Sequence, residues 1–265
     1  MSIAPTPAIL AAFGADDRPQ LLEGGAGTTY RAGGIVLKPI STYAEAEWLA
    51  ELFTSIEESG FRVARPVRSA QQTWIVDGWA ATQYIPGQEV TGRWHEKIAV
   101  ATSFHQAIHG VAQPPHIALA QHPWAIADRF AWGEQHLHYH QRLVPVVDRL
   151  YRLLKPIDLP NQLIHGDMTG NILFHESLLP AVIDMAPYWR PAAFAIAIII
   201  VDSIVWEGAD QSLIAAYLHI EHMDQLLLRA TIRRLVELDG INKQFGIDCF
   251  DQIDAYLPLI GMLST

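Results

Sequence analysis

The chain of 265 residues has a single cysteine, Cys249. That excludes an internal disulfide and any zinc site built on clustered cysteines. Basic residues are scarce: 18 Lys and Arg face 28 Asp and Glu, for a formal net charge of -10. Nucleic-acid binders need basic stripes to neutralise phosphates, so that class of partner is set aside. No apolar run approaches the roughly 20 residues that span a bilayer. The longest, "AAFAIAIIIV" at 192–201, stops at Asp202 and reads as a buried helix. The start, "MSIAPTPAIL", lacks the basic residues and apolar run of a secretory leader, so a cytoplasmic location without membrane attachment is expected. Charged residues make up only 17% and hydrophobic ones 50%, which argues against long disorder and calls for a sizeable core.

No repeat or low-complexity tract is present, and local patterns divide the chain in two. The first third alternates β-prone runs with glycine turns. Runs at 28–31 and 35–38 meet at Gly33-Gly34, and "TWIVDGWAATQYIPG" turns at Asp77-Gly78; both read as hairpins. Between them Trp48, Leu49, Leu52, Phe53 and Ile56 recur at helical spacing, with Gly60 as the expected stop. Pro86-Gly87 marks the boundary between a β-rich lobe of 1–86 and a helical lobe of 87–265. In the latter, 97–109, 124–154 (kinked near Pro145) and 211–238 carry helical patterns, and a strand-like segment at 162–183 interrupts them.

Polar residues cluster where a core strand has no use for them. "LIHGDMTGNILF" sets His165, Gly166, Asp167 and Asn171 between apolar flanks, and "AVIDM" adds Asp184. Asp167 is placed to accept the proton of an attacking hydroxyl. Asn171 and Asp184 offer the oxygen ligands that magnesium prefers, with waters and phosphate completing its octahedron. Upstream, Gly24, Gly25 and Gly27 precede a β-prone run, where backbone amides without a Cβ in the way can approach phosphate oxygens. Taken alone these glycines read equally well as a flexible hairpin, and with no G-K-[ST] after them a Walker loop is excluded. Lys38 closes "IVLK" and could pair with inner phosphates; a lone lysine there reads more readily as a solvated strand end. Glu45 and Glu47 both follow on "YAEAEWLAEL", two apart, so at most one can hold Lys38. Glu45 is favoured, because its i+4 and i+7 neighbours are Leu49 and Leu52. Glycine loop, lysine and glutamate, then aspartate, asparagine and aspartate, is the order of parts in a kinase.

With those motifs in place, the chain resembles the aminoglycoside phosphotransferase and choline-kinase-like group, from near Gly24 to about Trp206. The resemblance implies an α+β, protein-kinase-like fold with two lobes, a nucleotide bound between them, and transfer of a phosphoryl group to a hydroxyl of a small molecule. It implies Asp167 as catalytic base, Asn171 and Asp184 as magnesium ligands, and Lys38 on the α- and β-phosphates of ATP or GTP. It also implies that the backbone of Gln83 and Ile85, in "TQYIPG", binds adenine. "FHQAIHG" looks like the family's helix that ends in a Leu-His-like pair. "MTG" leaves one residue fewer between Asp167 and Asn171 than family members usually have, and "RPAAFAIA" stands in place of the family's "DP…DLA". Gly166 replaces the arginine with which protein kinases read a phosphorylated loop, which points to a small-molecule acceptor. A nucleotide-binding pseudoenzyme is the first rival reading.

A metal-dependent hydrolase built on the 12 histidines is the second rival. His105 and His109 lie four apart, but Gln106 stands where the H-E-x-x-H motif needs glutamate. His136, His138 and His140 in "HLHYH" would diverge on a helix, so packing or surface roles are expected. Trp189 and Trp206 are candidate pocket walls. Asp128, Glu134, Asp202, Glu207 and Asp210 fit an amine-binding acceptor site and a solvated helix face equally. Neither the acceptor nor the oligomeric state is legible.

Overall fold

The computed structural model describes residues 4–22 and 27–264. They fall into two compact units: the described residues of Met1–Glu89 with Ile172–Asp184, and those of Val90–Asn171 with Met185–Thr265. The first unit begins with α1 (Pro7–Ala12), β1 (Gln20–Leu21), β2 (Tyr30–Ala32), β3 (Ile35–Pro39), α2 (Tyr43–Ser55), β4 (Arg62–Val63), β5 (Pro66–Val67), β6 (Ile75–Val76) and β7 (Trp79–Gln83). The second takes over with α3 (Trp94–Ala107), α4 (Pro115–Leu119), α5 (Pro123–Ala131), α6 (Val144–Tyr151) and β8 (Gln162–His165). The chain rejoins the first for β9 (Ile172–Leu173) and β10 (Ala181–Val182). It ends in the second with β11 (Pro187–Arg190), α7 (Ala192–Trp206), α8 (Gln211–Tyr217), α9 (Met223–Phe245) and α10 (Ile253–Leu263).

In the first unit an antiparallel sheet runs in the order β1-β2-β3-β7-β5, with β6 also paired to β7. Both expected turns are two residues long, since Ala32 pairs with Ile35 and Val76 with Trp79. Asp77 and Gly78 have φ of 47° and 79°, the doubly left-handed turn whose twist suits a hairpin. Leu37 is fully buried among Tyr30, Trp79, Ala81, the α1 residues Ile9 and Leu10, and Phe13 just after that helix. Strand alternation sends the next residue, Lys38, to the other face of the sheet.

Residues 172–184 group with this unit, which is thus built from two stretches of the chain. Arg62 explains much of the attachment. Its amide binds the Pro180 carbonyl, while its guanidinium binds the carbonyls of Leu179 and Pro86. Gln88 and Phe174 exchange both backbone hydrogen bonds, at 2.9 and 2.8 Å. β10 then pairs parallel to β4 and antiparallel to β9.

The second unit is built on helices. α7 is apolar on every side, and Phe194–Ser203 are all buried, as befits a helix enclosed by neighbours such as α3 and α9. Two long helices expected from the sequence are each divided. Within 124–154, α5 ends before Gly133, left-handed at φ 74°, and Pro145 sits in the first turn of α6, where its missing N–H leaves no bond unmade. Within 211–238 the break falls at His222, with φ 57°. Among the described residues no helix is long and apolar enough to cross a membrane.

Inside this unit Lys97 of α3 is fully buried and paired with Glu207 at the end of α7, which also accepts the Gly92 amide. Lys97→Met should leave that carboxylate buried without its cation and cost about 3–5 kcal/mol. The double variant Lys97→Met with Glu207→Leu should recover most of the loss. Urea denaturation of both variants checks this; a double variant no more stable than the single one would contradict it.

Candidate active site

The first unit brings Lys38 and Asp184 together. The Lys38 Nζ lies 2.6 Å from Asp184 Oδ1, with the two side chains 40% and 48% exposed. A pair that exposed contributes at most about 1 kcal/mol. Asp184 is also held at φ 52°, a left-handed backbone that costs a residue with a Cβ roughly 1–2 kcal/mol. Stability therefore does not account for the arrangement; a cation and an anion are being presented outward at a fixed spacing.

Glu45 and Glu47 form no ion pair with Lys38 among the described residues, and Asp184 takes that place. Glu45 instead sits in the first turn of α2, where its amide binds the Thr42 hydroxyl and its carboxylate suits the positive helix end. Of the hinge residues, Gln83 has its N–H taken by the Arg65 carbonyl at 2.7 Å. Ile85 makes no backbone hydrogen bond among the described residues, so its amide and carbonyl remain available. Gly27 is left-handed at φ 67°, while Gly24 and Gly25 lie outside the described residues.

The second unit holds Asp167 and Asn171 on the turn that follows β8. His165 is fully buried and its Nδ1 accepts the Asp167 amide at 3.2 Å. Its own amide donates to His105 Nε2 at 2.9 Å. The other nitrogen of His105 must then carry the proton, and it lies 2.7 Å from the Ala101 carbonyl. Burial, above all, pushes His105 down to about 3, so its imidazole stays neutral. Gly166 has no room for a side chain: a Cβ there would stand 2.3 Å from the Tyr188 ring. The absence of arginine at this position thus has a steric cause.

The turn is short but closed. The Asn171 amide donates from Nδ2 to the Asp167 carbonyl at 2.7 Å, and its backbone N–H binds the Met168 carbonyl. That leaves the Asn171 side-chain oxygen free of hydrogen bonds among the described residues, as a metal ligand must be. Asp167 is 48% exposed and its Oδ1 receives Arg234 Nη2 at 2.7 Å. Partial burial pushes its carboxyl up, but Arg234, His165 and Arg233 together outweigh it and hold the group below the usual carboxylate range.

Arg234 was not singled out from the sequence, nor was Thr169; Asp202, which joins them in one network, was considered only as part of an amine-binding field. A signal existed: "LLLRATIRRLVELD" sets charges inside an apolar helical run, and buried charges require partners. The five acids considered as an amine-binding field are already committed. Asp128 and Glu134 bind Arg190, Asp202 binds Arg234, Glu207 binds Lys97, and Asp210 caps α8. "HLHYH" is not helical; His140 stacks on Phe250 with ring centres 4.3 Å apart. Trp206 is 51% exposed and meets Tyr256 edge-on.

Among curated proteins there is no significant match. Solved structures are similar in fold across nearly the whole chain. A spectinomycin phosphotransferase, APH(9)-Ia, solved with ADP and spectinomycin, is 16% identical, with a TM-score of 0.60 over 97% of this chain and 95% of that one. The choline kinase LicA from Streptococcus pneumoniae is 12% identical, with a TM-score of 0.63 over 96% of each chain. A choline/ethanolamine kinase family protein from Mesorhizobium loti is 15% identical, with a TM-score of 0.60 over 97% of this chain and 90% of that one. These likenesses establish the protein-kinase-like α+β fold. A model of the phosphotransferase enzyme family matches residues 20–228, and the chain belongs to that family.

Proposed function

We propose that the protein transfers the γ-phosphoryl group of a nucleoside triphosphate, ATP in the first instance, to a hydroxyl of a small molecule, with magnesium as the metal. The observation that carries this reading is the Lys38–Asp184 pair, two partly exposed opposite charges held 2.6 Å apart on a left-handed backbone, in a member of a phosphotransferase family. Two relatives in fold, solved with ADP and with AMP, support a nucleotide as donor.

The donor set suits magnesium. Asp184 offers an exposed carboxylate and Asn171 an amide oxygen without other duties; both are hard oxygen ligands, and magnesium takes few of these from protein. When bound, the ion would neutralise charge on the phosphates. Lys38 would steady the α- and β-phosphates, and the free backbone groups of Ile85 would receive the base.

Asp167 would bind the acceptor hydroxyl through Oδ2. As the hydroxyl oxygen bonds to the γ-phosphorus and the bridging P–O bond to the nucleoside diphosphate breaks, the hydroxyl proton passes to Asp167. A carboxylate held at a low pKa is a weak base, so its contribution is to orient the nucleophile and take the proton late. Positioning and charge neutralisation supply most of the rate. The pseudoenzyme alternative rested on the shortened turn, and the Asn171–Asp167 hydrogen bond supports the competent reading instead.

A coupled ADP-release screen against hydroxyl-bearing metabolites and antibiotics tests the proposal. Asp167→Ala should lower transfer by about 100-fold or more, while calorimetry still detects binding of Mg-ATP. Equal turnover by wild type and variant would remove Asp167 from the chemistry. Wild type that binds Mg-ATP yet phosphorylates nothing in the screen would favour the pseudoenzyme. Separately, Lys38→Met should weaken ATP binding whether or not magnesium is present, whereas Asp184→Asn should weaken it chiefly when magnesium is present. Titrations with and without the ion distinguish the two, and identical behaviour would contradict their separate roles.

A further inference from the structure

Arg234 of α9 makes four hydrogen bonds. Nε and Nη2 grip Asp202 of α7 at 2.9 and 2.6 Å, Nη1 binds Glu237 one turn along at 3.0 Å, and Nη2 also reaches Asp167. Asp202 and Glu237 are nearly buried, at 6% and 7% exposure, and a guanidinium 12% exposed already finds its countercharge in them. The fourth bond is different. Asp167 is half exposed, and an ion pair to such a carboxylate adds little to stability. What the bond does is fix direction: with Oδ1 held by Arg234, Oδ2 makes no hydrogen bond among the described residues and is presented in one orientation. Asp202 fixes the same turn a second time, because its Oδ2 accepts the hydroxyl of Thr169 at 2.9 Å.

We propose that Arg234 is a positioning residue for phosphoryl transfer: held by Asp202 and Glu237, it aims the Asp167 carboxylate. This rests on the reading of Asp167 as the group that orients the acceptor hydroxyl.

The test separates positioning from a merely structural role. With full-length protein and an acceptor found in the ADP-release screen, Arg234→Gln, and Arg234→Lys, which keeps the charge but loses the fork, should each lower kcat at least about tenfold with KM for ATP unchanged. Because Arg234 acts through Asp167, adding Arg234→Lys to Asp167→Ala should lower the residual rate no further. With an active wild type, turnover retained in Arg234→Lys, or a further loss in the double variant, overturns the proposal alone. If Arg234→Gln fails to fold, Arg234→Lys decides by the same readouts. A wild type that binds Mg-ATP and phosphorylates nothing in the screen fails the transferase reading and takes the proposal with it.

Discussion

A guanidinium removed from water must find acceptors for its donors, and in the second unit that requirement organises the chemistry. Arg234 engages carboxylates from α7, from its own helix and from the turn after β8. Two of those carboxylates are in turn tied to something else. Asp202 holds Thr169, and Glu237 holds Arg233 at 2.8 Å. Arg233 lies over the Tyr188 ring, 4.2 Å from its centre, and that ring closes the space above Gly166. The path from α9 to the Asp167 turn is therefore continuous on both sides of the turn. Such a network resists piecemeal change, because the loss of one partner leaves another charge buried and unpaired.

The first unit solves a different problem, which is to offer charge at the surface without spending it on stability. β3 has Leu37 in the core and Lys38 on the opposite face, so the strand's own packing fixes where the ammonium emerges. Asp184 follows β10, whose pairing with both β4 and β9 sets its position before the chain turns left-handed. The pair is exposed on both sides and would exchange its partners easily. Around Asp167, by contrast, the anchoring groups are buried and only the carboxylate is open. Fixed geometry thus belongs to the group proposed to orient a nucleophile, and accessible charge to the groups proposed for phosphate and metal.

How much of this was legible depends on the range over which each feature is determined. Asp77-Gly78 and Gly33-Gly34 were read as turns because two adjacent residues decide such a turn by their own backbone preferences. The buried helix at α7 was visible in ten consecutive apolar or small residues. Helix ends were less visible: Gly133 and His222 break patterns whose apolar spacing continues past them, and periodicity reports which face is buried, not where the axis changes direction. The Asp167–Asn171 motif is compact in sequence and was found. Glu45 was favoured for its place on the packed face of α2, yet the capping position it occupies equally calls for an acid.

By itself the sequence determined the class of fold and the family, because strand alternation, turn preference and motif spacing act over a few positions. Only the tertiary structure decided which charges are partners. Lys38 meets Asp184 and not Glu45, Arg234 meets Asp167 from 67 residues away, and the acids of the second unit turn out to be matched with cations or a helix end. The reason is physical: pairing among distant charges follows from burial and packing, and one charged residue in a helical pattern looks the same in sequence whether it faces water or a carboxylate.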